Sequence, residues 1–165
     1  MTKQQILGLA LLAATAAQAH VTLDQGEAPA GSSYKAVFKV GHGCEGGLAT
    51  RQITVTPPPG LRNAKPMPKA GWTLAIAANG DISWTARTEA DYLQDAWYDE
   101  FTIRTTLPEE PGVLWFKVRQ GCVGGEANWA DVPPAGSDSP KGLKQPAARL
   151  LVTPRAAAMP EGHHH

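Results

Sequence analysis

The chain has 165 residues, 42% of them apolar and 18% charged, with 15 basic and 15 acidic side chains that balance to a formal charge of zero. That balance implies neither nucleic acid nor an anionic membrane surface as a partner. Fourteen prolines and seventeen glycines call for many turns and exclude a fold of long helices.

Residues 1–19 divide as a secretory signal does. Lys3 supplies the positive start, residues 6–16 form an apolar run, and Ala17-Gln18-Ala19 is a small-x-small cleavage site. The run is shorter than the roughly 20 residues that span a bilayer, so no membrane span is expected after cleavage. Cleavage after Ala19 would make His20 the mature N-terminus. Residues 20–155 then form one domain, and residues 156–165 a tail whose final His163-His164-His165 reads as a purification-tag remnant. An exported chain is expected in the periplasm or outside the cell.

Strand signals begin at once, with a short first strand over residues 20–23. Residues 34–40 alternate, Tyr34, Ala36, Phe38 and Val40 on one face and both lysines on the other. Gln52-Ile53-Thr54-Val55-Thr56 is rich in β-branched residues and stops at Pro57-Pro58-Pro59-Gly60. Residues 72–76 and 81–86 flank Asn79-Gly80, a dipeptide suited to a two-residue hairpin turn with φ > 0 at both positions. Residues 89–99 read as loop or a short helical turn. In the next strand Phe101, Ile103 and Thr105 face one way, and in residues 113–120 Leu114, Phe116 and Val118 point inward. Residues 122–145 read as loop, and residues 149–153 as a closing strand. Seven or eight short strands between turn clusters predict an all-β fold, an antiparallel β-sandwich of cupredoxin-like or immunoglobulin-like type.

Two cysteines, Cys44 and Cys122, stand in no CxxC spacing. In an exported chain without a third thiol they are expected to form one disulfide. Outside the tail the histidines are His20 and His42 alone, so a site of several imidazoles is not expected within one chain. A mature N-terminal histidine changes this arithmetic. Its α-amine, with a pKa near 8, and its own Nδ1 can close a chelate ring on one metal ion. Copper(II) favours such tetragonal nitrogen and oxygen ligation and stands highest in the divalent affinity order. A carboxylate would supply a third position. Glu27 lies seven residues on, and Asp24 shares the face of His20 if the first strand runs unbroken. Glu45 and Glu126 could approach from elsewhere in the sandwich. His42, within Gly41-His42-Gly43-Cys44, reads as a structural turn residue sooner than as a second ligand. No nucleophile elbow, zinc-protease motif or phosphate loop occurs, and no catalytic residue is expected.

The run His20-Val21-Thr22-Leu23 followed by Glu27-Ala28-Pro29-Ala30-Gly31 resembles the mature start of the YcnI-like domain family. Further matches follow in order: His42-Gly43-Cys44, Pro58-Pro59-Gly60, Gly71-Trp72, Glu100-Phe101-Thr102-Ile103, Leu107-Pro108, and Gln120-Gly121-Cys122 with Trp129. The resemblance implies an exported copper-binding protein of copper homeostasis, encoded beside other copper-handling proteins, which are its implied partners. It implies that Cu(II) is held by a single-histidine brace at His20, by amine and imidazole together. It further implies Glu27 as the carboxylate ligand and Trp129 as the tryptophan near the metal. Two other readings differ in class. A histidine-brace oxidative enzyme would need His42 to reach His20 in space, and a metal-free immunoglobulin-like assembly module would work through an apolar patch or sheet edge.

Overall fold

The chain alternates short extended segments with tight turns, and the computed structural model, which describes residues 20–156, folds them into two facing β-sheets. The strands are β1 Thr22–Leu23, β2 Glu27–Pro29, β3 Ser33–Val40, β4 Thr50–Thr56, β5 Arg62–Pro66 and β6 Trp72–Ile76. They continue with β7 Ile82–Ala86, β8 Asp99–Thr106, β9 Gly112–Cys122, β10 Gly125–Trp129 and β11 Ala148–Thr153, with a single 3₁₀ turn at Glu89–Asp91. One sheet runs β1-β3-β8-β5. The other runs β2-β11-β9-β4-β7-β6, and β10 pairs with the C-terminal half of β9. All pairings are antiparallel except β2 with β11. The expected signal segment and the end of the C-terminal tail lie outside the described residues. Among the described residues no helix is long and apolar enough to cross a membrane.

The alternation read along β3 is the alternation of the core. Tyr34, Ala36, Phe38 and Val40 are buried, and Lys35 is exposed on the opposite face. β8 runs antiparallel to β3 in unbroken register from Ser33↔Thr106 to Val40↔Asp99, which sets Phe101, Ile103 and Thr105 inward beside them. Aromatic rings then join the sheets edge to face. Phe38 meets Phe116 at 5.5 Å, and Phe101 meets Trp72 at 5.1 Å and Trp84 at 5.6 Å. Each fully buried side chain of this size contributes roughly 1.5–3 kcal/mol.

Three strands escape the sequence pattern. β2 ends in a proline and β5 is Arg-Asn-Ala-Lys-Pro. Both are edge strands, where charge and a missing N–H are tolerated. β10 falls inside the stretch expected to be loop. A two-residue connection, Val123-Gly124, folds it back onto β9, with Cys122 opposite Gly125 and Trp129 opposite Val118. The β6–β7 hairpin forms where expected but with a different turn. Ala77 pairs with Asp81, leaving the three residues 78–80 in the loop, and Gly80 takes φ 89° whereas Asn79 does not enter the left-handed region. The Asn79 side chain instead binds back to Asp81, accepting from its N–H and donating to its carboxylate.

Cys44 and Cys122 form the expected disulfide, with Cα atoms 6.1 Å apart across 78 residues of sequence. Such a bond is typical of an oxidising compartment and is compatible with export.

Candidate metal site

Short β1 is laid against the end of β3 with Thr22 opposite Lys39 and Leu23 opposite Phe38. Continuing that register by two residues sets His20 opposite Gly41, next to His42. Both imidazoles pack against one indole. The His20 ring lies 5.5 Å from that of Trp129 at an interplanar angle of 84°. The His42 ring lies 6.2 Å away at 89°. Trp129 is buried at the end of β10, so the rings meet where the edge of the first sheet closes over the second.

A buried amide network fixes the indole and the histidine loop together. Gln120, wholly buried on β9, accepts from Trp129 Nε1 at 3.1 Å through its Oε1. Its Nε2 donates to the His42 carbonyl at 2.8 Å and to Thr50 Oγ1 at 2.7 Å. The loop that carries His42 is held further by the Cys44–Cys122 disulfide and by the Gly43 N–H, which donates to Asp95 Oδ1 at 2.8 Å. It also closes through the bond from Cys44 N to Leu48 O. Gly43 is dictated by that closure, because a Cβ there would lie 2.1 Å from the Leu48 carbonyl oxygen. The ring of His42 contacts the Gly43 carbonyl through Nδ1. A carbonyl only accepts, so Nδ1 carries the proton.

His20 differs. Its Nδ1 is buried and has no hydrogen-bond partner, alone in this respect among the side-chain nitrogens and oxygens of the described residues. Leaving a polar atom buried and unpaired costs about 1–3 kcal/mol, and such an atom in a folded protein calls for an explanation. Beside the His20 ring opens a mostly apolar cavity of about 410 Å³, lined by residues 20–23, 140–143 and 146–149. Nδ1 is the nitrogen that an N-terminal histidine uses with its own α-amine to chelate a metal. In a chain processed to begin at His20, the amine and this Nδ1 would make a nitrogen pair of the kind that copper(II) takes.

Each carboxylate weighed as a partner has its own setting. Asp24 follows directly on β1; its N–H donates to Val37 O, which carries the β1–β3 register one residue further, and its carboxylate lies 3.6 Å from Lys39 Nζ. Glu126 is on the outward face of β10, in a polar hollow with Asp81, Lys117, Arg119 and Asn128, opposite to the face that buries Trp129. Glu45 is exposed in the Cys44–Leu48 turn. Glu27 is exposed on β2, paired with Leu151 of β11. Gln120 was named in the sequence only within the Gln120-Gly121-Cys122 match and given no role, although the inward series Leu114, Phe116, Val118 continues to it and so places an amide in the core.

Fold and site together define an immunoglobulin-like β-sandwich with one disulfide and a histidine-bearing edge. The chain belongs to the family described as "Domain of unknown function (DUF1775)", whose model matches residues 20–80 and 77–152. It is similar to a protein from Nocardia farcinica whose crystal structure shows an immunoglobulin-like fold, at 27% identity and a TM-score of 0.65, covering 81% of this chain and 97% of that one. A membrane-anchored protein of putative status from Corynebacterium diphtheriae shares the fold, at 11% identity and a TM-score of 0.50, covering 86% of this chain and 36% of that one. No curated protein matches the sequence.

Proposed function

We propose that the processed protein is an exported Cu(II)-binding protein of copper homeostasis or trafficking, a binder without turnover of its own. The observation that carries this reading is the buried, unpartnered Nδ1 of His20 beside the Trp129 indole. In the processed chain the His20 amine and Nδ1 would hold the ion. The resemblance to YcnI-like domains supplies Glu27 as a third donor. Trp129 would shield one side of the ion from water, and Gln120 would keep the indole in place. Bound copper would supply a redox-capable Lewis acid, and the chain's own groups hold and screen it.

The test compares two forms of the protein, both with His163, His164 and His165 replaced by alanine. One begins at His20 and the other retains residues before it. Tight Cu(II) binding with nitrogen hyperfine structure in the EPR spectrum is expected of the first form and is weakened and altered in the second. Identical spectra and affinities in the two forms would remove the role of the amine, and tight binding by His20→Ala would remove the site.

A metal-free module for protein assembly is favoured by one observation. Trp97 and Tyr98 are adjacent and 56% and 57% exposed, as a contact surface would require. Such a module predicts no Cu(II) affinity in the processed protein. Oxidative attack on polysaccharide with added reductant would instead point to a copper enzyme.

A further inference from the structure

We propose that the groove beside His20 docks an extended, acidic segment of a partner protein, taken up as an added strand along β1. The inference is independent of the copper-binding reading. One observation from the backbone and one from charge carry it.

The groove lies on a seam that neither sheet closes. Among the described residues β1 is an edge strand, paired on one side with β3 and on the other with no strand. Its register sets the direction of each backbone group. Asp24 N–H donates to Val37 O, so the alternation of an antiparallel pair turns the groups of Thr22 and Asp24 towards β3 and those of Val21 and Leu23 outwards. Across the seam β11 pairs with β2 only from Leu151 onwards, which leaves residues 148–150 with β9 on one side and no strand on the other. Both edges, with residues 140–143, line the mostly apolar cavity of about 410 Å³. That size falls within the roughly 300–1,000 Å³ of ligand sites. A segment laid along β1 finds N–H and C=O groups at its own spacing and apolar surface for alternate side chains. These are the sources of affinity and of specificity in strand addition.

Charge selects the segment. Lys141 and Arg149 stand among the lining residues, and no carboxylate does. Among the described residues no salt bridge joins either cation to an acid, and Arg149 Nε donates to the Asp138 carbonyl at 3.0 Å. Lys141 is exposed at the rim. A strand with carboxylates on one face and apolar side chains on the other therefore complements the rim and the floor together. Docked there, it lies alongside His20.

The experiment uses the isotope-labelled processed protein beginning at His20, with His163→Ala, His164→Ala and His165→Ala and no added metal. The probe is an acetylated, amidated pentapeptide of alternating glutamate and valine, titrated to millimolar concentration while amide NMR shifts and exchange rates are followed. Shifts centred on residues 20–23 and 141–149 are expected, with slowed exchange at the Val21 and Leu23 amides. Only every other backbone group of a strand faces its neighbour. Of two probes N-methylated on all valines or on all glutamates, one should therefore bind roughly tenfold more weakly. A probe with lysine in place of glutamate, or Lys141→Glu in the protein, should weaken binding roughly threefold or more, as exposed charge pairs do. Lys117→Glu, in the separate polar hollow on the outward face of β9, should leave binding unchanged. Absence of shifts at residues 20–23, equal binding of both N-methylated probes and the parent, or equal binding of the lysine probe overturns the proposal.

Discussion

Gln120 offers the sharpest test of how the site is held, because one buried side chain serves three partners. Replacing it with leucine keeps the volume and removes the amide. Trp129 Nε1–H, the His42 carbonyl and Thr50 Oγ1 then lose their bonds in a position that water does not reach. At about 1 kcal/mol or more for each buried group left unpaired, the loss is about 3 kcal/mol or more. The leucine returns roughly 1 kcal/mol through its added apolar burial. A net destabilisation of about 2–4 kcal/mol follows, or roughly 6–12 °C in melting temperature for a domain of this size. Urea unfolding read by tryptophan fluorescence and by circular dichroism would measure it, with an unchanged m-value showing that the unfolding remains the same transition. Gln52→Leu is the internal comparison. Gln52 is half-buried and donates one bond, to Thr85 Oγ1 at 2.9 Å, so its loss should cost about 1 kcal/mol or less. A Gln120→Leu protein within about 0.5 kcal/mol of the wild type would refute the reasoning.

Reducing the Cys44–Cys122 bond, or replacing both cysteines by serine, frees a segment of 78 residues and should cost about 2–5 kcal/mol, read from urea midpoints with and without reductant. Coincident midpoints would show that the bond adds nothing to the fold. Tyr34 makes a prediction at alkaline pH. Burial, helped by the negative charge of Asp24, raises its hydroxyl from 10.0 to about 12. The folded state therefore keeps a proton that the unfolded chain gives up from pH 10. Stability is unaffected below pH 10 and falls as pH rises from 10 to about 12, by up to about 2–3 kcal/mol in all. Urea midpoints across that range should fall less steeply in Tyr34→Phe. Equal slopes would show that some other group governs the alkaline loss.

The parts of the fold that were legible in the sequence are those where one strand face is dry. Tyr34, Ala36, Phe38 and Val40 alternate because a second sheet covers them, and so do Phe101 and Ile103. Where that pressure is absent the signal fades. β5 is exposed at almost every position, and its register shifts between Arg62 and Lys65, where Asn63 takes φ 53°. β10 has only Ala127 and Trp129 turned inward, and two buried residues among five do not establish a period. The Asn79-Gly80 turn shows a different limit. The dipeptide correctly marks the hairpin, but the Asn79 side chain caps Asp81 and so selects a three-residue loop.

The candidate site was legible in its chemistry and less so in its assembly. The census of histidines singled out His20, and the resemblance singled out Trp129. His42 read as a turn residue because the glycines around it are local, whereas a bond to its backbone carbonyl comes from 78 residues away. The β9–β10 hairpin supplies much of the restraint on this turn, beside Asp95 on the Gly43 N–H. Gln120 holds the His42 carbonyl, Cys122 holds Cys44, and Trp129 packs against both imidazoles. Its two-residue turn and its register fix these three residues relative to one another. Short β1 then needs to bring only one residue, His20, to a surface that is already rigid. An N-terminus is ordinarily the most mobile part of a chain, so in a chain processed to begin at His20 that residue would gain most from neighbours whose own positions the fold has settled.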